Sequence, residues 1–251
     1  MTQPPADTFL FDVPVPVPPV EQLLLLASQY TRHNDTLDLA LASPTEPDPQ
    51  THAASARQLA SETSAAITAV LDQQPCPSPD LSDALVRLNQ LAYLSAQSAG
   101  HTAHKARELT ALAPQDIVTS TAHIVLEQDR GRSGTSAPPA ERLTPAHCAA
   151  LHDIAQGRAV VTKSMGRQYV NNRGPRILVS TLRHLESTGL VDRAEGSAAP
   201  AFKGGPPLDR LRLTPAGMTA VASFIGLPPA GTNTPPRMVT PAPAQSPSRS
   251  R

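Results

Sequence analysis

Apolar residues recur at three- and four-residue steps through the first half of the chain. Leu23, Leu26, Ala27 and Tyr30 share one face of a helix over about 20–41, and Leu59, Thr63, Ile67 and Val70 one face over 53–71. Ile117, Thr121, Ile124 and Val125 do the same over 116–128. Such steps stack side chains into a single stripe. The most regular stretch is 81–112, where Leu81, Leu85, Leu88, Ala92, Ser95, Ala99, Thr102, Ala106 and Leu109 alternate by four and three. That spacing predicts one long helix carrying a heptad seam. Pro79 and Asp80 suit its start and Pro114 its stop. Although the chain holds 28 prolines, the windows 20–43, 51–74, 80–113 and 115–137 contain none. Proline inside a helix loses a hydrogen bond and clashes with the preceding turn, so the gaps in its distribution mark helices. Four amphipathic helices over 20–128 predict a bundle, its seam closed within one chain or between two.

The pattern then changes. Gly, Ser and Pro dominate 129–142, which reads as a linker. Thr144-Pro145 opens a helix that buries Cys148, Leu151, Ile154 and Ala155 and ends at Gly157. Over 159–179, Val160, Val161, Tyr169, Val170, Ile177, Leu178 and Val179 favour strand, and Gly166, Asn171, Asn172 and Gly174 favour turns. A β-hairpin is the preferred reading, and a short helix over 164–170 is the alternative. Ser180 suits the N-cap of a helix that turns Leu182 and Leu185 inward and stops at Gly189. Strands follow at 190–193 and 211–213, joined by a Gly/Pro-rich tip at 196–208. Thr214-Pro215 opens a last helix burying Met218, Val221, Ala222 and Ile225.

Composition sharpens this division. The chain is formally neutral, with 21 basic and 21 acidic residues, but the charges are segregated. Residues 1–141 carry 7 Lys and Arg against 16 Asp and Glu, and residues 142–226 carry 11 against 5. A basic module joined to an acidic one suits phosphate binding by the basic part. Both ends are proline-rich, and 1–19 and 227–251 read as disordered tails, the second of them basic. Arginine outnumbers lysine 18 to 3 amid abundant Ala and Pro, a composition that resembles a high-GC actinobacterial proteome.

On the helix after 179, Ser180, Arg183, His184 and Ser187 point away from Leu182 and Leu185. Arginine forks onto guanine edges, and serine serves phosphates or bases. Thr181, Leu182, Leu185, Glu186, Gly189, Leu190 and Val191, followed by Leu211, Leu213, Thr214, Ala216 and Gly217, resemble winged-helix regulators of the MarR and PadR type. The resemblance covers 143–226, about a third of the chain. It implies that the outer face of this helix enters the major groove while basic wing residues touch the backbone or minor groove. By position Arg183, His184, Lys203 and Arg210 inherit those roles, and Arg176 and the two serines complete the candidate set. The segment 159–179 departs from the family, whose middle helix it does not spell.

The whole therefore reads as a mainly α protein, an N-terminal helical bundle followed by a winged-helix α+β domain. The expected function is DNA binding in transcriptional regulation, with double-stranded DNA as partner. A homodimer held by the helical region would match paired half-sites. A protein-interaction adaptor using bundle and wing is the alternative. No nucleophile elbow, phosphate loop or HExxH motif is present, and no enzyme activity or cofactor is expected. His101 with His104, and Cys148 with His152, lack the further ligands of a metal site and read as a solvated pair and a packed one. Cys76 and Cys148 show no disulfide or zinc spacing. No apolar run reaches the ~18–20 residues that span a bilayer, so a cytoplasmic protein is expected.

Overall fold

A computed structural model describes residues 18–43, 52–73, 78–131, 143–164, 167–172, 174 and 176–226. The expected disordered tails and linker lie outside these residues, apart from 18–19 and 129–131. Five helices come first: α1 (Pro19–Ala42), α2 (Ala53–Gln73), α3 (Pro79–Ser98), α4 (Ala103–Thr110) and α5 (Ala113–Gly131). There follow α6 (Pro145–Ala155), β1 (Val160–Ser164), β2 (Arg167–Asn171), α7 (Val179–Ser187), β3 (Val191–Ala198), β4 (Leu208–Leu213) and α8 (Pro215–Ala222). The fold is mainly helical, with one small antiparallel sheet in the order β2-β1-β4-β3.

The long third helix is two helices. Chain direction changes at Gly100 and His101, and Thr102 caps α4 by accepting a hydrogen bond from the Lys105 amide. The heptad seam is lost with it, for Ala92 and Ala99 are only half-buried and Thr102 is exposed. The buried stripe of α3 is instead Leu81, Ala84, Leu85, Leu88, Leu91, Ser95 and Ser98, which keeps steps of three and four but turns Ala84 and Leu91 inward in place of Ala92 and ends with the helix. Pro114 does not stop a helix. It lies in the first turn of α5, where a missing amide costs nothing.

The spine of the molecule is α1. Leu23, Leu24, Leu26, Ala27 and Tyr30 are buried against α2, α5 and the sheet side alike, and one continuous apolar core runs from Leu23 to Ile225. Several polar groups inside it pair across helices, as burial favours. The Tyr30 hydroxyl sits 3.0 Å from Thr63 Oγ1 and 2.5 Å from Ser95 Oγ, tying three helices together. Asn34 donates to the Thr110 carbonyl at 2.9 Å and accepts from the Thr110 hydroxyl at 2.6 Å.

In the second half, β1 and β2 pair antiparallel as the preferred hairpin reading expects, with Val161 opposite Val170 and Lys163 opposite Gln168. Strand β1 also pairs with β4, so the hairpin extends the sheet formed by β3 and β4. Strands β3 and β4 are longer than expected, and the segment between them shortens to 199–207. Ser180 is not the cap of α7. Leu178 takes that position and offers no side-chain acceptor, which leaves Ser180 within the first turn. Gly189, at φ 70°, ends the helix in the left-handed region that favours glycine.

Gly217 on α8 faces the Leu190 carbonyl so closely that an added Cβ would collide with that backbone oxygen. The same carbonyl accepts from the Thr214 amide at 3.1 Å and is not free to retreat. Gly217→Ala should therefore lower stability by about 1–3 kcal/mol. The shift in urea midpoint at unchanged m-value measures it.

Candidate nucleic-acid interface

Helix α7 is seated by Leu182 and Leu185, both fully buried, and this fixes which face is outward. Ser180, Arg183, His184 and Ser187 are all exposed, as the periodicity requires. The marginal carboxylate, Glu186, is bound by Arg193 at 2.6 and 3.1 Å, so it is neutralised beside this face. His184 is less free than its exposure suggests. Its ring stacks on His147 of α6, with centroids 4.6 Å apart and planes 16° from parallel. Burial, reinforced by the neighbouring His184, holds His147 below the usual imidazole range. Ser187 donates to the His184 carbonyl and supports the helix end.

Beside α7 lies a group of residues absent from the sequence-based set. Strand β2 alternates exposed and half-buried positions, so Arg167, Tyr169 and Asn171 share its open face. A groove of about 570 Å³ runs between this strand and α7, lined by Lys163, Arg167, Gln168, Tyr169, Val179 and Arg183. No carboxylate lines it. Lys163 lies 3.7 Å from Asp209, while Arg167 and Arg183 form no ion pair among the described residues. The arginines are therefore available to an anion. A sequence signal existed in the alternation of 167, 169 and 171, but it acquires meaning only once the hairpin pairs.

Arg176 is exposed and lines the continuation of this groove. Lys203 is exposed in the segment between β3 and β4, outside the groove. Arg210 points the other way. Its guanidinium donates to both oxygens of Asp35 on α1, at 2.5–3.1 Å, and to the Gly157 carbonyl at 2.8 Å. It acts as a strut between β4 and the helical region, beside a cavity of about 280 Å³ also lined by Asp38, Arg107 and Arg158. Among the described residues no group of three or more His, Cys, Asp or Glu is placed to hold a metal. Burial raises the Cys148 thiol above its ordinary range, which disfavours the reactive thiolate. No helix among the described residues is long and apolar enough to cross a membrane.

No protein-family model, curated protein or solved structure matches this chain.

Proposed function

We propose that the chain binds double-stranded DNA through the outer face of α7 and the adjoining hairpin, in the manner of a transcriptional regulator. The observation that carries this reading is the pair of exposed arginines, Arg167 and Arg183, which form no ion pair among the described residues, on two neighbouring elements around a groove lined by no carboxylate among those residues. Phosphate contacts of this kind supply most non-specific affinity, and a helix face beside them can read base edges. The order α6, β1, α7, β3, β4, with β1 paired to β4, supports a winged-helix arrangement. Strand β2 then stands where such folds place their middle helix. Ser180 and Arg183 face the base edges in this reading, Arg167 the backbone, and Lys203 a more distant phosphate. Arg210, committed to Asp35, takes no part.

Fluorescence anisotropy of the full chain on random and genomic duplexes across a salt series tests this. Binding should weaken linearly on a log–log salt plot. The Arg167→Ala variant should lower that slope by about one and weaken all sequences alike. Arg183→Ala should also flatten the preference between sequences. A folded full chain that leaves every duplex unbound at low salt overturns the reading.

A further inference from the structure

The groove contains a group that a duplex backbone does not require. Tyr169 presents its ring to solvent, 46% exposed, on a strand whose neighbouring outward positions are Arg167 and Asn171. The chain has three tyrosines and no tryptophan. Tyr30 is fully buried and tied by two hydroxyl partners, whereas Tyr169 forms no hydrogen bond among the described residues. Its position is set by the strand, opposite Thr162.

The groove does not end at this ring. A second hollow of about 480 Å³ shares Gln168, Tyr169 and Val179 with the first and continues past Arg176 and Leu178. Tyr169 thus stands in the middle of one open channel, with Arg167 and Arg183 towards one end and Arg176 towards the other. The channel follows β2, which is an edge strand of the sheet. Cation, aromatic face, cation along an open channel is the arrangement that binds a single nucleic-acid strand. Arg183 stays with the duplex, Arg167 takes the phosphate where the duplex ends, Arg176 takes one further along the strand, and the ring stacks a base. A paired base cannot supply that stack, because both its faces are covered by its neighbours in the helix. The first hollow alone is of the size of a small-molecule site, about 300–1,000 Å³, and accommodates one nucleotide. Gln168 also lines the channel, its side-chain oxygen held by the Arg193 guanidinium at 2.6 and 2.7 Å.

We propose that this channel holds an unpaired strand, one base stacked on Tyr169, so that the preferred nucleic acid is a duplex carrying a single-stranded extension. The inference rests on the duplex-binding reading of α7, because the extension is delivered from the duplex on that face.

The test compares three fluorescent probes against the full chain. They are a blunt duplex, the same duplex with an extension of about ten thymidines, and that oligothymidine alone. The extended duplex should bind roughly tenfold tighter than the blunt one. Tyr169→Ala should remove this increment and leave blunt-duplex affinity unchanged, while Tyr169→Phe should keep it. The exposed position makes both substitutions compatible with folding, and an unchanged Tm verifies it. Equal affinity for blunt and extended duplexes, or an increment that survives Tyr169→Ala, overturns the channel. Binding of the oligothymidine and the extended duplex equally, with none of the blunt duplex, overturns duplex delivery and so the proposal, while identifying the fault as the α7 reading. Failure of all three probes overturns both.

Discussion

Replacing Asp35 by alanine should destabilise the fold by about 3–5 kcal/mol, the cost of stranding buried partner charge. The carboxylate is 3% exposed on α1 and faces two arginines of β4. Arg210 binds it bidentately, and Arg212 lies 3.8 Å from its second oxygen. Burial pushes the Asp35 carboxyl up, and Arg210 pulls against that push. Removing the carboxylate leaves the Arg210 guanidinium, whose side chain is 14% exposed, with only the Gly157 carbonyl. Urea unfolding at neutral pH measures the loss, and a loss below about 1 kcal/mol would show the pair to be no more than a surface bridge. The reciprocal control separates charge from packing. Asp35→Leu combined with Arg210→Leu should recover much of the stability, because a buried pair exchanged for apolar groups is often nearly neutral.

Acidification should unfold the protein earlier than its carboxylates alone would require, and His33 is the reason. The imidazole is 4% exposed at the junction of α1 and α2, its Nδ1 3.0 Å from Ser55 Oγ, its Nε2 without a protein partner. Burial, and then the nearby His52 and Arg107, lower its pKa to about 4. The folded state therefore refuses a proton that the unfolded chain accepts near pH 6.5. A depressed folded pKa contributes stability that is complete above the unfolded value and disappears as pH falls through the folded one. The window is thus about pH 6.5 down to about 4, and the loss across it is about 3 kcal/mol. Burial lowers His152 as well, with Asp153 opposing, and the two histidines act in the same direction. Urea midpoints measured across this range should decline in the native chain. In His33→Gln the decline should be markedly shallower. Equal slopes in the two proteins would remove His33 as the cause.

The stripes Leu23 to Tyr30 and Leu59 to Val70 were legible because burial of one helix face needs only local periodicity. The same holds for Leu182 and Leu185, which dictate that Arg183 and Ser180 face outward whatever else surrounds them. The strand-favouring residues of 159–179, with turn residues such as Gly166 among them, were enough to favour a hairpin. The seam over 81–109 misled because a second set of three-and-four steps, through Ala84 and Leu91, runs beside it and shares Leu81, Leu88 and Ser95, and Gly100 with Thr102 offered a cap that the regular spacing concealed.

Polar burial was not legible at all. His33, Asn34 and Asp35 lie on α1 beside ordinary surface residues, and Arg210 alternates along β4 as a wing cation would. Their positions depend on partners up to 175 residues away, as in the link from Arg210 to Asp35. The same is true of Arg167 and Tyr169, which meet Arg183 only when β2 lies beside α7. By itself, then, the sequence determined the helical first half, the strand-rich segment behind it, the segregation of charge and the outward face of α7. These follow from short-range periodicity and composition. Only the tertiary structure decided which cation is a strut and which is free, and that a channel exists. Pairing and enclosure are long-range contacts, and a local pattern of residue types carries no record of them.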